Sequence, residues 1–527
     1  MLFNSYEFIF LFLPTVLLCF HLIGKRGHHR VAIAWLICAS LFFYGWWNPA
    51  YLLLMLFSVL FNYSVGISLS NTSGRKLLSK TILTIGVSVN LAILGYFKYA
   101  NFFVDNLNAL SGTNLILNEV ILPLAISFFT FQQIAYLVDA YRGRTKEYNF
   151  LHYCLFVTFF PQLIAGPIVL HKEMLPQFTK DAIHKLRSKH LAIGITIFTL
   201  GLFKKVVLAD GISIYATPVF DAAEAGVMLT FFEAWGGVLA YTFQIYFDFS
   251  GYSDMAIGIA RMFGIRLPLN FNSPYKATSI IDFWRRWHIT LSRFLRDYLY
   301  ITLGGSRKGK VRRYINLMIT MVLGGLWHGA GWTFILWGGL HGFYLIVNHG
   351  WRTLSNNRNK TKVGSFFAWI ITFLAVVVSW VPFRAESISG AKNLLQTMVG
   401  VNGISLPMNL ESTFIDGMTS NVNYGLSPLV NIFTFDGMFH NALYSDNLIA
   451  IYWIFLLLLV STFFPNTQQL MRNHKPAFET YKGEVTRSAY KWTEWEKTTS
   501  WALFTSIILT ISILSMSGES EFLYFQF

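Results

Sequence analysis

Ile280-Ile281-Asp282-Phe283-Trp284-Arg285-Arg286-Trp287-His288 and, beyond the basic loop Arg307 to Arg313, Gly324-Gly325-Leu326-Trp327-His328-Gly329-Ala330-Gly331-Trp332 are where this apolar chain places its histidines and arginines. At about 100° per residue, Trp284, His288, Leu291 and Leu295 share one apolar arc, with Arg285, Arg286, Arg293 and Arg296 opposite. That predicts one amphipathic helix at a membrane face, its arginines toward headgroups or cytosol. Between Arg313 and Arg352 there is no Lys, Arg, Asp or Glu. The apolar legs Tyr314–Leu326 and Thr333–Asn348 span only roughly 20–24 Å each at helical rise, against about 30 Å for a bilayer core. They are therefore expected to meet at Trp327–Trp332 inside the membrane, with glycines allowing close backbone approach. Irregular backbone at that depth needs protein or a watery cavity around it. An ionisable group there is a functional candidate by default, and His328 is the first.

Working outward, 54% of the 527 residues are hydrophobic and 13% charged, with a mean hydropathy of +0.48. Those values indicate an all-α polytopic membrane protein, one transmembrane domain over residues 1–527, and exclude a soluble globular fold. The net charge of +15 is explained by basic inner loops, so no nucleic-acid partner is expected. Cys19, Cys38 and Cys154 lack the spacing of a disulfide or zinc site, no metal is expected, and Met1–Gly24 lacks the features of a cleavable signal.

Charge alternation orders the spans. The N-terminus is outside, and the runs Phe8–Ile23, Val31–Trp47, Tyr51–Leu69, Thr81–Phe97 and Val120–Val138 cross in turn, with Lys98–Glu119 an outer loop. Phe150–Leu170 breaks the pattern. It lies between two basic stretches and contains Pro161 and Pro167, which reads as a re-entrant element, the other reading being a kinked span with an exceptional loop. Leu191–Leu208, Thr230–Phe249, Phe366–Phe383, Leu448–Phe464 and Trp501–Met516 complete roughly ten crossings at about 20 apolar residues each. The segment Arg384–Asn447 is an outer loop, and Ser517–Phe527 an outer tail. Strands are not expected.

Tyr246-Phe247-Asp248-Phe249-Ser250-Gly251-Tyr252-Ser253-Asp254, Asn270-Phe271-Asn272-Ser273-Pro274-Tyr275, Phe283 to His288 and Leu326-Trp327-His328-Gly329 together resemble the membrane-bound O-acyltransferase family in its bacterial, alginate O-acetylation-like branch, over roughly Phe160 to Gly342. The resemblance implies a ring of helices around a thinned centre with a funnel open to the outside. It implies His328 as the histidine essential for acyl transfer and His288 as the second polar position of the tunnel. The ending Glu521-Phe522-Leu523-Tyr524-Phe525-Gln526-Phe527 is similar to the C-terminus of the small partner protein in D-alanyl transfer, which implies Tyr524 as an acyl carrier.

The implied chemistry moves an acetyl group from a cytoplasmic thioester, acetyl-CoA, to a sugar hydroxyl of an exported polysaccharide, with no bound cofactor. Arg285, Arg286, Lys308 and Lys310 would contact CoA phosphates, or anchor to anionic membrane lipids. His328 would act as general base. A separate extracytoplasmic serine-type acetyltransferase would receive the cargo at a bacterial inner membrane, with both termini outside. Lys204, Lys205, Asp248 and Asp254 either line the funnel or pair with one another. Three other readings remain open here: acetylation of peptidoglycan or another wall glycan, a transporter or flippase, and an anchor for an export complex. No paired repeat of the kind common in transporters is visible.

Overall fold

The computed structural model describes residues 1–72, 74–118, 120–145, 149–354, 361–405, 433–434, 447–481, 483–486, 491–517 and 523. The chain is built from helices: α1 (Glu7–Lys25), α2 (His29–Gly45), α3 (Tyr51–Asn71), α4 (Lys76–Ser111), α5 (Ile126–Tyr141), α6 (Phe150–Thr158), α7 (Phe160–Leu163), α8 (His171–Phe178), α9 (Ser188–Glu224) and α10 (Phe231–Met262). Then follow α11 (Ile280–Trp284), α12 (Ile289–Phe294), α13 (Lys310–His328), α14 (Trp332–Leu354), α15 (Lys362–Arg384), α16 (Ile388–Met398), α17 (Asn447–Phe463) and α18 (Thr499–Leu514). Among the described residues the strand pairings are the two-residue parallel contact of Ile404–Ser405 with Phe433–Thr434, inside the expected outer loop, and an isolated parallel bridge between Pro268 and Phe478. Strands, excluded above, thus occur in this minimal form.

The helices α1, α3, α4, α9 and α15 are long and apolar enough to cross a membrane, while three shorter apolar helices lie at His29–Gly45, Ile449–Phe463 and Thr499–Leu514. This is a multi-pass membrane protein. Several boundaries differ from the charge-based reading. Helix α4 does not stop at Phe97 but runs to Ser111, so Lys98 lies inside a helix and not in a loop. The Phe150–Leu170 element is broken at Phe159 (φ −49°, ψ 106°), with Pro161 opening the short α7. Its freed backbone is held from elsewhere: Gln162 Nε2 donates to Phe156 O at 2.7 Å, and Ile168 N donates to Thr290 Oγ1 at 3.0 Å.

Two glycine contacts set the helix packing. On α9 and α10, a Cβ at Gly201 would lie 2.6 Å from Gly251 O, and one at Gly258 2.6 Å from Phe198 N. The two backbones therefore touch, as small residues permit in membrane helices. In the α13–α14 hairpin, a Cβ on Gly325 would collide with the Phe334 carbonyl, and one on Gly338 with the Met321 carbonyl. The hairpin turns at Gly329–Gly331 as the sequence implies, but its legs are longer. Helix α13 has 19 residues and α14 has 23, roughly 28 and 34 Å, because both extend into the flanking basic loops.

The single amphipathic helix expected over Ile280–Leu295 is two short helices. Trp284 ends α11, and His288, at φ 41° and ψ 55°, precedes α12 in the left-handed region. The reason lies in the Asn270–Asn272 segment: Ile289 N donates to Asn270 O and Asn272 N to Arg286 O, both at 2.9 Å. These bonds replace the helical ones at the break. The arginines follow the new geometry. Arg293 is buried and donates to both oxygens of Glu173 at 2.5 and 3.0 Å, so it faces the protein and not headgroups.

Because Gly325 abuts backbone that cannot yield, Gly325→Ala is expected to lower stability by about 1–3 kcal/mol. Gly339→Ala, where nothing lies within 4 Å of the added carbon, should be tolerated. Thermal melting of the detergent-purified variants checks both.

Candidate active site

His328 is the last residue of α13 and stands between two apolar clusters. Trp327, in the first, has its ring 4.9 Å from the imidazole; Trp337, in the second, is at 5.1 Å and Phe383 at 5.2 Å. The helix end that carries His328 exposes carbonyls with no intrahelical donor. Lys98 from α4 meets them: its Nζ donates to Trp327 O at 2.6 Å and His328 O at 2.8 Å, while Tyr99 OH donates to Leu326 O at 2.6 Å. A cation at a helix C-terminus also complements the helix dipole. The lysine in α4 therefore fixes where α13 stops and where its histidine sits.

His288 lies beside this group, its ring centroid 6.4 Å from that of His328, and it is fully buried. Its tautomer follows from its neighbours. The Asn270 side-chain atom that accepts from Thr290 N (3.3 Å) and Thr290 Oγ1 (2.9 Å) is the amide oxygen, since a backbone N–H only donates. His288 Nδ1, 3.1 Å from that oxygen, therefore carries the proton. Its Nε2 is left as a buried lone pair with no hydrogen-bond partner among the described residues. His341, by contrast, is engaged at both nitrogens: Trp284 Nε1 donates to Nδ1 at 3.2 Å, and Ser379 Oγ lies 3.0 Å from Nε2. It is a packing histidine.

A cavity of about 20 Å³, room for roughly one water, opens onto His328 and is lined by Asp248, Phe249, Trp287, Trp337 and Leu523, among others. Trp337 is buried, and its Nε1 has no hydrogen-bond partner among the described residues. A larger cavity of about 210 Å³ lies behind Trp327, bounded also by Trp47, Lys98, Pro123 and Phe128.

The expected site residues separate accordingly. His288 and His328 come together. Tyr524 lies outside the described residues, although its neighbour Leu523 is in the His328 cavity. Arg285, Lys308 and Lys310 are exposed, whereas Arg286 is held by Asp282 at 3.0 Å and Asn272 O at 3.3 Å. Lys98, Asn270 and Trp337 were not singled out from the sequence. The signal for Lys98 was a lone cation inside an apolar helical pattern, and for Asn270 its position in a motif quoted for other reasons.

With this geometry in view, the chain matches the sequence profile of MBOAT, the membrane-bound O-acyltransferase family, over residues 77–381. It belongs to that family. It is 40% identical to the peptidoglycan O-acetyltransferase of Helicobacter pylori over 553 aligned positions, covering 100% of this chain and 98% of the relative. It is 39% identical to the probable alginate O-acetylase AlgI of Pseudomonas putida over 100% of both chains. It is 28% identical to the teichoic acid D-alanyltransferase of Streptococcus thermophilus over 52% of this chain and 70% of the relative. The protein is a membrane O-acyltransferase.

Replacing Asn270 with Leu strips the acceptor from three buried donors and should cost about 1–3 kcal/mol per unpaired group. We expect a lower melting temperature and reduced acyl transfer together. Transfer that persists unchanged in a destabilised Asn270→Leu protein would show that the His288 tautomer is irrelevant to activity.

Proposed function

We propose that this enzyme takes an acetyl group from cytoplasmic acetyl-CoA and passes it across a bacterial inner membrane for O-acetylation of an exported polysaccharide, with both termini extracytoplasmic. The observation that carries the reading is the His328–His288 pair, buried at the seam of two apolar clusters in a chain similar along its whole length to acetylases of extracytoplasmic glycans.

CoA is too large and polar to enter the seam, so the thioester end alone reaches His328. A free tyrosine phenol titrates near 10 and is a poor nucleophile until a base takes its proton; for Tyr524, His328 is that base. The phenolate oxygen attacks the thioester carbonyl, giving a tetrahedral oxyanion. The buried Trp337 N–H stabilises that charge as a fixed donor in a water-poor site. The C–S bond then breaks, and the CoA thiolate takes back the proton from the imidazolium. The His288 Nε2 lone pair accepts from a hydroxyl and orients it. The acetyl-tyrosine ester is handed to a separate extracytoplasmic transferase with a serine nucleophile, which delivers it to the sugar. Arg285, Lys308 and Lys310, exposed in the basic region, contact the CoA phosphates. Arg286 is committed to Asp282 and contributes less.

The relative named for peptidoglycan favours a second reading, in which the acceptor is the cell wall. O-acetyl content of exopolysaccharide and of peptidoglycan, measured separately in cells whose own copy is deleted and replaced by variants, distinguishes the two: the correct acceptor loses its acetyl groups. In either case His328→Ala should lower acetylation at least about 100-fold, the usual weight of a general base. Trp337→Phe should lower it about 100-fold, as for loss of one oxyanion donor, and Tyr524→Phe should abolish it. Normal acetylation of both glycans with His328→Ala would contradict the proposal.

A further inference from the structure

Helix α9 carries adjacent lysines in a π-helical turn, Lys204–Ala209, and the extra residue per turn aims both at α10. The two ion pairs they make are differently completed. Lys204 meets Asp254 at 2.6 Å, and that carboxylate also accepts from Thr467 Oγ1 at 2.6 Å and Gln468 Nε2 at 3.1 Å. Every one of these donors belongs to the folded core, which makes this pair structural. Lys205, 1% exposed, lies 2.7 Å from Asp248, itself 2% exposed, and 2.8 Å from Asp210. One cation thus serves two carboxylates, and Asp248 is left with acceptor capacity that a buried site must fill. The backbone N–H of Leu523, remote in sequence, donates to it. The Leu523 side chain, 3% exposed, lies in the cavity that holds His328.

We propose that the Lys205–Asp248 pair is a docking site for an extended peptide, occupied by this chain's own C-terminal segment. Recognition has two parts: a carboxylate hook for one main-chain N–H, and an apolar slot for the side chain of the same residue. A buried ion pair is a weak source of stability, so its place beside a catalytic cavity calls for another role. Holding a segment that must arrive, be acylated and leave supplies one. A single hydrogen bond to a charged acceptor is strong enough to select a register and weak enough to release it. The residue that follows Leu523 in the sequence is Tyr524. The delivery of tyrosine rests on the carrier reading above, whereas the clip itself does not. Asp248 and Lys205 are positioning residues and not catalytic ones.

The test uses the full chain in membrane vesicles. Cys19 and Cys38 are replaced by Ser, Leu523→Cys is introduced, and the buried Cys154 is kept as a sentinel for intact folding. Reaction with a membrane-impermeant maleimide is followed by peptide mass spectrometry. The new cysteine should label slowly in this background. Asp248→Asn should accelerate its labelling at least about tenfold, the weight of one hydrogen bond to a charged acceptor, with Cys154 still protected. Lys205→Met is read in the same way wherever Asp248→Asn exposes the sentinel. Fast labelling before either substitution, or unchanged protection after both, overturns the clip. Adding Tyr524→Phe separates the two claims. Protection that persists while glycan acetylation also persists would retain the docking site and remove the carrier.

Discussion

A protein made almost wholly of apolar helices must pair each buried polar group with another part of itself, because hydrocarbon offers no partner. The few charges inside this chain therefore dictate its geometry. Lys98 closes the end of α13. Glu173 draws Arg293 inward from the arc where a free amphipathic helix would display it. Lys204 and Lys205 lock α9 to α10 across a glycine contact that lets them reach. Asn270 replaces the missing helical bonds around His288 and fixes which of its nitrogens is bare. These buried groups are met by partners, whereas His288 Nε2 and Trp337 Nε1 at the site have none among the described residues.

The result is a seam. One apolar cluster holds α1, α2 and much of the N-terminal half with Trp327; the other holds Trp337 with Trp380 and Phe383 of α15. His328 and His288 occupy the boundary between them, where the end of α13 lies beside the start of α12. In the transfer proposed above, a thioester donor would also be open to hydrolysis. A cavity with room for about one water, walled by tryptophan and phenylalanine, limits that side reaction.

Much of this was legible in the residues. The break at Trp327–Trp332, the close approach of glycines and the singling out of His328 follow from charge-free length and from the rarity of ionisable groups in apolar surroundings. The proline-interrupted Phe150–Leu170 element was legible for the same kind of reason. What failed was the helix over Ile280–Leu295: a 100° periodicity fits that stretch, but the competing hydrogen bonds come from Asn270 and Asn272, and local pattern cannot register them. Lys98 was misplaced in a loop because charge was read as a boundary, when here it is a cap for another helix. Asp248 and Lys205 were recognised as a possible pair, but nothing in sequence spacing ties either to Leu523. Long-range satisfaction of buried polar groups is the information that periodicity lacks.

The central claim is that an acetyl group rests covalently on this chain between donor and acceptor. Intact-protein and peptide mass spectrometry after incubating the purified enzyme with acetyl-CoA tests it most directly. The account predicts one acetyl adduct on the C-terminal peptide at Tyr524, absent from both His328→Ala and Tyr524→Phe. Turnover of acetyl-CoA into an acetylated glycan by Tyr524→Phe protein that carries no adduct would contradict it.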